Sequence, residues 1–121
     1  MLREALTIES DMSSVPGVAA KLRTLFTAMG IPGGEAMVVE FCAVEAMENT
    51  IEHAYGGEPG HAVELVVSLD GASFTLEVID RGALGSGLVI PPSLMDAVSY
   101  ASADGVNTLT LSRTVHVCGA P

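Results

Sequence analysis

Glu45, Asn49 and His53 recur every fourth residue within a long helical pattern, so they share one helix face. Val38 and Cys42 continue that stripe upstream as apolar residues. A stripe that begins apolar and ends in a carboxylate, an amide and an imidazole reads as a buried face opening into a pocket. The same spacing also suits a solvated acidic face, and spacing alone does not choose between them. A second group is Asp80-Arg81-Gly82, at the end of the apolar run Val78-Ile79. A carboxylate held at a strand end can accept a hydrogen bond from a ligand amine, and glycine lets a ligand approach the backbone. Taken by itself this is equally an ordinary strand-ending turn. The third group is Gly85-Ser86-Gly87-Leu88, whose backbone N–H groups could hold an anion such as a phosphate or simply form a flexible turn.

The elements that would carry these groups can be read from periodicity. Leu2 to Glu9 alternates as a short strand. Ser13-Ser14-Val15-Pro16 predicts a helix start with hydroxyl caps, and Val18, Leu22, Leu25, Phe26 and Met29 then recur at helical spacing up to Gly30. A longer helix is predicted from about Glu35 to Tyr55, with Met37, Phe41, Val44, Ile51 and Tyr55 as an apolar stripe and Gly56-Gly57 as its stop. Val63 to Leu69 and Phe74 to Val78 alternate around Asp70-Gly71 as a hairpin. A short helix is expected over Ser93 to Ala97. It is followed by a second hairpin, with Val98 to Ala101 and Leu109 to Leu111 flanking a turn near Asp104-Gly105. Helices on one face of a mostly antiparallel sheet, an α/β two-layer sandwich, is the economical arrangement of this order.

At 121 residues the chain suits a single domain spanning 1–121, and 49% hydrophobic residues are enough for a core. With 4% aromatics and no Trp, that core must be aliphatic, with six Met as filler. Five Lys and Arg against fifteen Asp and Glu give a formal charge of -10. Such a chain repels nucleic-acid backbones and anionic membrane surfaces and suits a basic partner surface. Charges interrupt the first ten residues, and no apolar run approaches the roughly 18 residues a membrane span needs. Cys42 and Cys118 show no metal-type spacing, so a cytoplasmic protein with reduced thiols is expected.

The order of these groups resembles the GHKL (Bergerat-type) ATP-binding fold, most closely the anti-sigma factor serine/threonine kinases of bacterial partner-switching systems. The carrying stretches are Val44 to Tyr55, Asp80-Arg81-Gly82 and Leu94 to Tyr100, and the likeness extends over nearly the whole chain. The resemblance implies Glu45 as general base toward a substrate hydroxyl or water, and Asn49 as a Mg²⁺ ligand. It further implies Asp80 as acceptor for the adenine amino group, with Gly82 letting the base lie close and Gly85 and Gly87 presenting N–H groups to the phosphates of ATP. Thr108 would place a hydroxyl near the adenine, and His53 would be structural. The partners implied are a sigma factor, an anti-anti-sigma antagonist of the STAS type and a second copy of the chain.

Two departures from the family pattern stand out. Only Ala83-Leu84 separates Gly82 from Gly85, where the family has a longer lid over the phosphates. Pro91-Pro92 also follow soon after Gly87, where the family runs straight into a helix. The alternative to a kinase is therefore a lidless, inactive relative that only binds partner proteins.

Overall fold

The computed structural model describes residues 1–83 and 94–116. Its elements are β1 (Leu2–Glu9), a 3-10 turn (Met12–Ser14), α1 (Val15–Ala28), α2 (Gly33–Tyr55), β2 (Ala62–Asp70), β3 (Ser73–Asp80), β4 (Ala97–Ala103) and β5 (Val106–Thr114). Each strand pairing is antiparallel, in the order β1-β2-β3-β5-β4. The two helices pack on one face of this five-stranded sheet, which is the two-layer α/β sandwich expected. Among the described residues no helix is long and apolar enough to cross a membrane.

Local chemistry explains most of the boundaries. Gly71 at φ +61° opens the two-residue turn between β2 and β3, and Asp104 (φ +54°) and Gly105 (φ +77°) form the turn between β4 and β5. Positive φ at the first central residue of one turn and at both of the other matches the right-handed twist of the flanking strands. Gly56, left-handed at φ +61°, ends α2 by donating its N–H to Ile51 O. The start of α1 differs from expectation. Neither Ser13 nor Ser14 caps α1 with its side chain. Instead Asp11 accepts from Ser13 N–H at 2.9 Å and caps the preceding 3-10 turn.

The inward face of the sheet carries Val63, Leu65 and Val67 from β2, Phe74, Leu76 and Val78 from β3, and Leu109 and Leu111 from β5. Leu22 and Phe26 of α1 and Val39, Met47 and Ile51 of α2 close over them. Phe26 meets Phe74 edge-on, with ring centroids 5.5 Å apart, so the few aromatics are spent on the helix–sheet contact.

Two elements correct the sequence reading. The apolar stripe read along α2 splits: Met37 is 74% and Phe41 48% exposed, Val44 and Tyr55 are half-buried, and only Ile51 is fully inside. The buried face instead runs through Ala36, Val39, Ala43, Ala46, Met47 and Ala54. Alanines let α2 approach the sheet and α1 closely, so residue size marks the core face poorly here. Of the short helix expected from Ser93 to Ala97, Leu94 is in 3-10 conformation, whereas Met95 and Asp96 are irregular and Ala97 opens β4. Asp96 is drawn there by pairing, its N–H donating to Ser112 O and its carboxylate accepting from Thr114 N–H. Ser93 lies outside the described residues.

Arg23 of α1 meets Glu40 of α2 through two hydrogen bonds of 2.8 and 2.9 Å. The guanidinium holds the Glu40 carboxyl below its usual range. A lowered carboxylate pKa makes this link intact above the ordinary carboxylate range and lost as pH falls through the lowered value. Both groups face solvent, so salt weakens it further.

The burial pattern predicts opposite outcomes on the two faces of α2. Met47→Ala and Ile51→Ala should each cost about 2–5 kcal/mol in urea unfolding. Met37→Ala should stay within about 0.5 kcal/mol. A large loss at Met37 would restore the stripe expected from sequence.

Candidate functional site

Asp80 and Asn107 are the polar ends of two buried apolar rows. On β3 the inward series Phe74, Leu76, Val78 ends in Asp80, and on β5 Leu111 and Leu109 lead to Asn107. The strand register sets the two directly opposite, and side chains of opposed residues share one sheet face. Both are buried, Asp80 at 6% and Asn107 at 3% exposure. Asn107 Nδ2 donates to Asp80 Oδ1 at 2.8 Å and to Gly82 O at 3.1 Å, while Gly82 N–H also donates to Asp80 Oδ1 at 3.0 Å. Ser102 Oγ, across the β4–β5 hairpin, donates to Asn107 Oδ1 at 2.7 Å.

The turn after β3 is docked on the C-terminal end of α2. The last carbonyls of a helix lack partners within it, and Ala83 N–H supplies one to Ala54 O at 2.9 Å. Tyr55 Oη accepts from Arg81 N–H at 2.9 Å and lies 3.4 Å from Ala62 O, to which it donates. The Tyr55 ring stacks on His61 with centroids 4.5 Å apart. Gly82 is required sterically, since a Cβ there would lie 2.3 Å from Ala54 O. A cleft of about 760 Å³ opens beside this junction, lined in part by Tyr55, His61, Asp80, Arg81 and Gly82. Glu45 and Asn49 are not among its walls.

Glu45 and Asn49 are half-buried on α2, off the core-facing side, and neither side chain makes a hydrogen bond among the described residues. At 1.5 Å per residue they lie roughly 13 and 7 Å before Ala54 along the helix axis, so the Asp80 turn sits at one end of a line and Glu45 at the other. His53 is exposed. No group of His, Cys, Asp and Glu that could hold a metal occurs among the described residues. Any cation at Asn49 would therefore be completed by ligand oxygens and water, the usual habit of Mg²⁺.

Thr108 lies away from this assembly. It follows Asn107 on β5, and successive strand residues point to opposite faces, so its hydroxyl is on the sheet's outer side, beside Ile79. Asn107 takes the inward position. Continuing the Leu111–Leu109 alternation back one step would have found it. Gly85 and Gly87 lie outside the described residues, as does Cys118.

Arg113 is a second residue that sequence reasoning passed over. It continues the inward series of β5, half-buried, and donates through Nη1 to Leu94 O at 2.7 Å, while its buried Nε has no partner among the described residues. Burial pushes the Cys42 thiol upward, the Arg113 charge pulls it part of the way back and Glu45 raises it. A basic group thus does face the layer beneath α2. Cys42 is a free, buried thiol, and a raised pKa keeps it protonated and inert.

The profile of the family described as "Histidine kinase-like ATPase domain" matches residues 8–85. Among solved structures, the chain is similar to a crystal structure of the RsbU and RsbW domains of Rv1364c from Mycobacterium tuberculosis. The TM-score is 0.79 at 22% identity, over 95% of this chain and 33% of that one. The chain thus spans about a third of that protein's length, and at this identity the likeness is one of fold. Comparison with curated sequences returned no significant match.

Two measurements check this junction. Gly82→Ala must displace the turn from Ala54, so it should lower the melting temperature and speed amide exchange at Ala83; unchanged exchange would separate the glycine from the docking. In native protein the peptide containing Cys42 should resist alkylation at pH 8 and react only after unfolding, read by peptide mass. Rapid native labelling would contradict its burial.

Proposed function

This chain belongs to the histidine kinase-like ATPase family, and from that premise we propose that it is an anti-sigma factor kinase of a partner-switching system. In this reading it binds ATP with Mg²⁺, holds a sigma factor, and phosphorylates a Ser or Thr of a STAS-type antagonist. It acts in the cytoplasm, as a homodimer. The observation that carries the reading is a carboxylate, Asp80, fixed and buried beside the end of the helix that also bears Glu45 and Asn49, neither of which has a side-chain partner among the described residues.

These residues suit a nucleotide. Asp80 would accept from the adenine amine, with Gly82 and Asn107 holding its carboxylate in place. Asn49 would hold Mg²⁺ through its side-chain oxygen, a hard donor for a hard ion. When bound, Mg²⁺ supplies the positive potential along the triphosphate that a chain with five basic residues offers only sparsely. Glu45, one helical turn beyond Asn49, would accept the proton of the attacking hydroxyl and orient it for in-line transfer. The net charge of -10 favours a partner with a basic docking face.

The test is to mix the purified protein with Mg-ATP and a candidate STAS antagonist. Phosphate transfer supports the kinase. Partner binding without transfer supports the binding module that the short Gly82–Gly85 connection suggests. Within the kinase reading, Glu45→Gln should lower phosphotransfer about 10²-fold or more while nucleotide affinity holds. Asn49→Ala should weaken binding of the Mg-nucleotide itself. Full transfer by Glu45→Gln would remove Glu45 from the chemistry.

A further inference from the structure

We propose that the exposed ridge of α2 formed by Met37, Phe41 and Val44 docks the protein that receives the phosphate, and that it fits an acceptor whose hydroxyl is flanked by apolar side chains and by Lys or Arg. The inference rests on the kinase reading above and deepens it.

Counting back by fours from Glu45 gives Phe41 and then Met37, and residues four apart are neighbours on a helix surface. Met37 is 74% and Phe41 48% exposed. Val38 and Val44, both half-buried, widen the patch on either side. Met37, Phe41 and Val44 stand at i, i+4 and i+7, the spacing with which a helix presents anchors to a partner's groove. The core needs none of this ridge, because α2 packs through the opposite side, along Ala36, Val39, Ala43 and Ala46. Single exposed apolar residues are ordinary, but a contiguous run of them marks an interaction surface.

Position and charge together identify the occupant. In the kinase reading the nucleotide runs from Asp80, at the C-terminal end of α2, past Asn49 to Glu45. Phe41 and Met37 lie roughly 6 and 12 Å further along the helix axis, beyond Glu45. Attacking and leaving oxygens are in line in phosphoryl transfer, so the acceptor hydroxyl comes from the side away from ADP, over Phe41 and Met37. Its oxygen bonds the γ-phosphorus as the bond to ADP breaks, and its proton passes to Glu45. Val44 is followed at the same spacing by Glu48 and Glu52. Glu45, Glu48 and Glu52 form no ion pair among the described residues. In a chain of net charge -10, an apolar ridge running into free carboxylates selects apolar anchors with Lys or Arg beside them.

The experiment measures phosphate transfer to a purified STAS-type antagonist at varied antagonist concentration and saturating Mg-ATP, alongside Mg-ADP affinity and melting temperature. The proteins are wild type, Met37→Ala, Met37→Leu, Phe41→Ala and Glu48→Lys. Met37→Ala and Phe41→Ala should each raise KM for the antagonist about fivefold or more, with kcat, ADP affinity and melting temperature nearly unchanged. Met37→Leu, which keeps an apolar side chain, should retain the wild-type KM, and Glu48→Lys should raise it. An unchanged KM in both alanine variants would overturn the docking surface while leaving the kinase reading standing. So would a parallel loss of ADP affinity, which would reduce these residues to structural ones. A KM unchanged or lowered in Glu48→Lys would overturn the basic acceptor. A wild type that binds Mg-ADP but phosphorylates no antagonist would overturn the kinase reading, and this inference with it.

Discussion

The candidate site depends on one helix carbonyl. Ala54 O stands among the last carbonyls of α2 and has no partner within the helix, so it must be satisfied from outside. Ala83 N–H meets that need, and in doing so pins the end of β3 under the end of α2. Only glycine fits at position 82, where the two backbones press together. Tyr55 adds a second anchor at Arg81 N–H. Asp80, between these anchors and the sheet, therefore holds a set position relative to Asn49 and Glu45 along the helix. Without the docking, the carboxylate and the helix face would be two unrelated features.

Charge shapes the rest. A net charge of -10 leaves few cations to spend, and the structure places them sparingly. Arg23 ties α1 to α2 at the surface through Glu40, while Arg113 turns inward toward the layer that holds Cys42. The helix face bearing Glu45 and Asn49 is left without a lysine or arginine on its own element. An anion approaching that face needs compensation from a metal and from backbone N–H groups, which fits a family of ATPase domains better than a site built on arginine clamps.

Much of the architecture was readable in one dimension, for physical reasons. The hairpins declared themselves because Gly71, after Asp70, and Asp104-Gly105 supply the positive φ that tight turns demand, between runs of strict alternation. The long helix was legible because Gly56 stops it and nothing inside it breaks it. Its buried face is less legible, because the large side chains of Met37 and Phe41 point outward while the packing surface mixes four alanines with Val39, Cys42, Met47, Thr50 and Ile51. The far end of the short helix expected before β4 is strand instead, since Ala97 has a sheet partner in Ser112 that local propensity does not see.

The residue types and spacings of Glu45, Asn49, Asp80 and Gly82 were visible from the chain alone, because helix and strand periodicities are local properties of the backbone. What brings Asp80 to Asn107 is not local. It requires β4 to take the sheet edge and β5 to fold back between it and β3, in a register that sets residues 80 and 107 face to face. A shift of one residue would have turned Thr108 inward and Asn107 out. Neighbouring positions on a strand are chemically adjacent but point to opposite sides, so only the folded sheet could decide which of the two reaches the carboxylate. The contact between Gly82 and Ala54 is likewise invisible until α2 lies on the sheet, because the clash that demands glycine comes from a backbone 28 residues away in the chain.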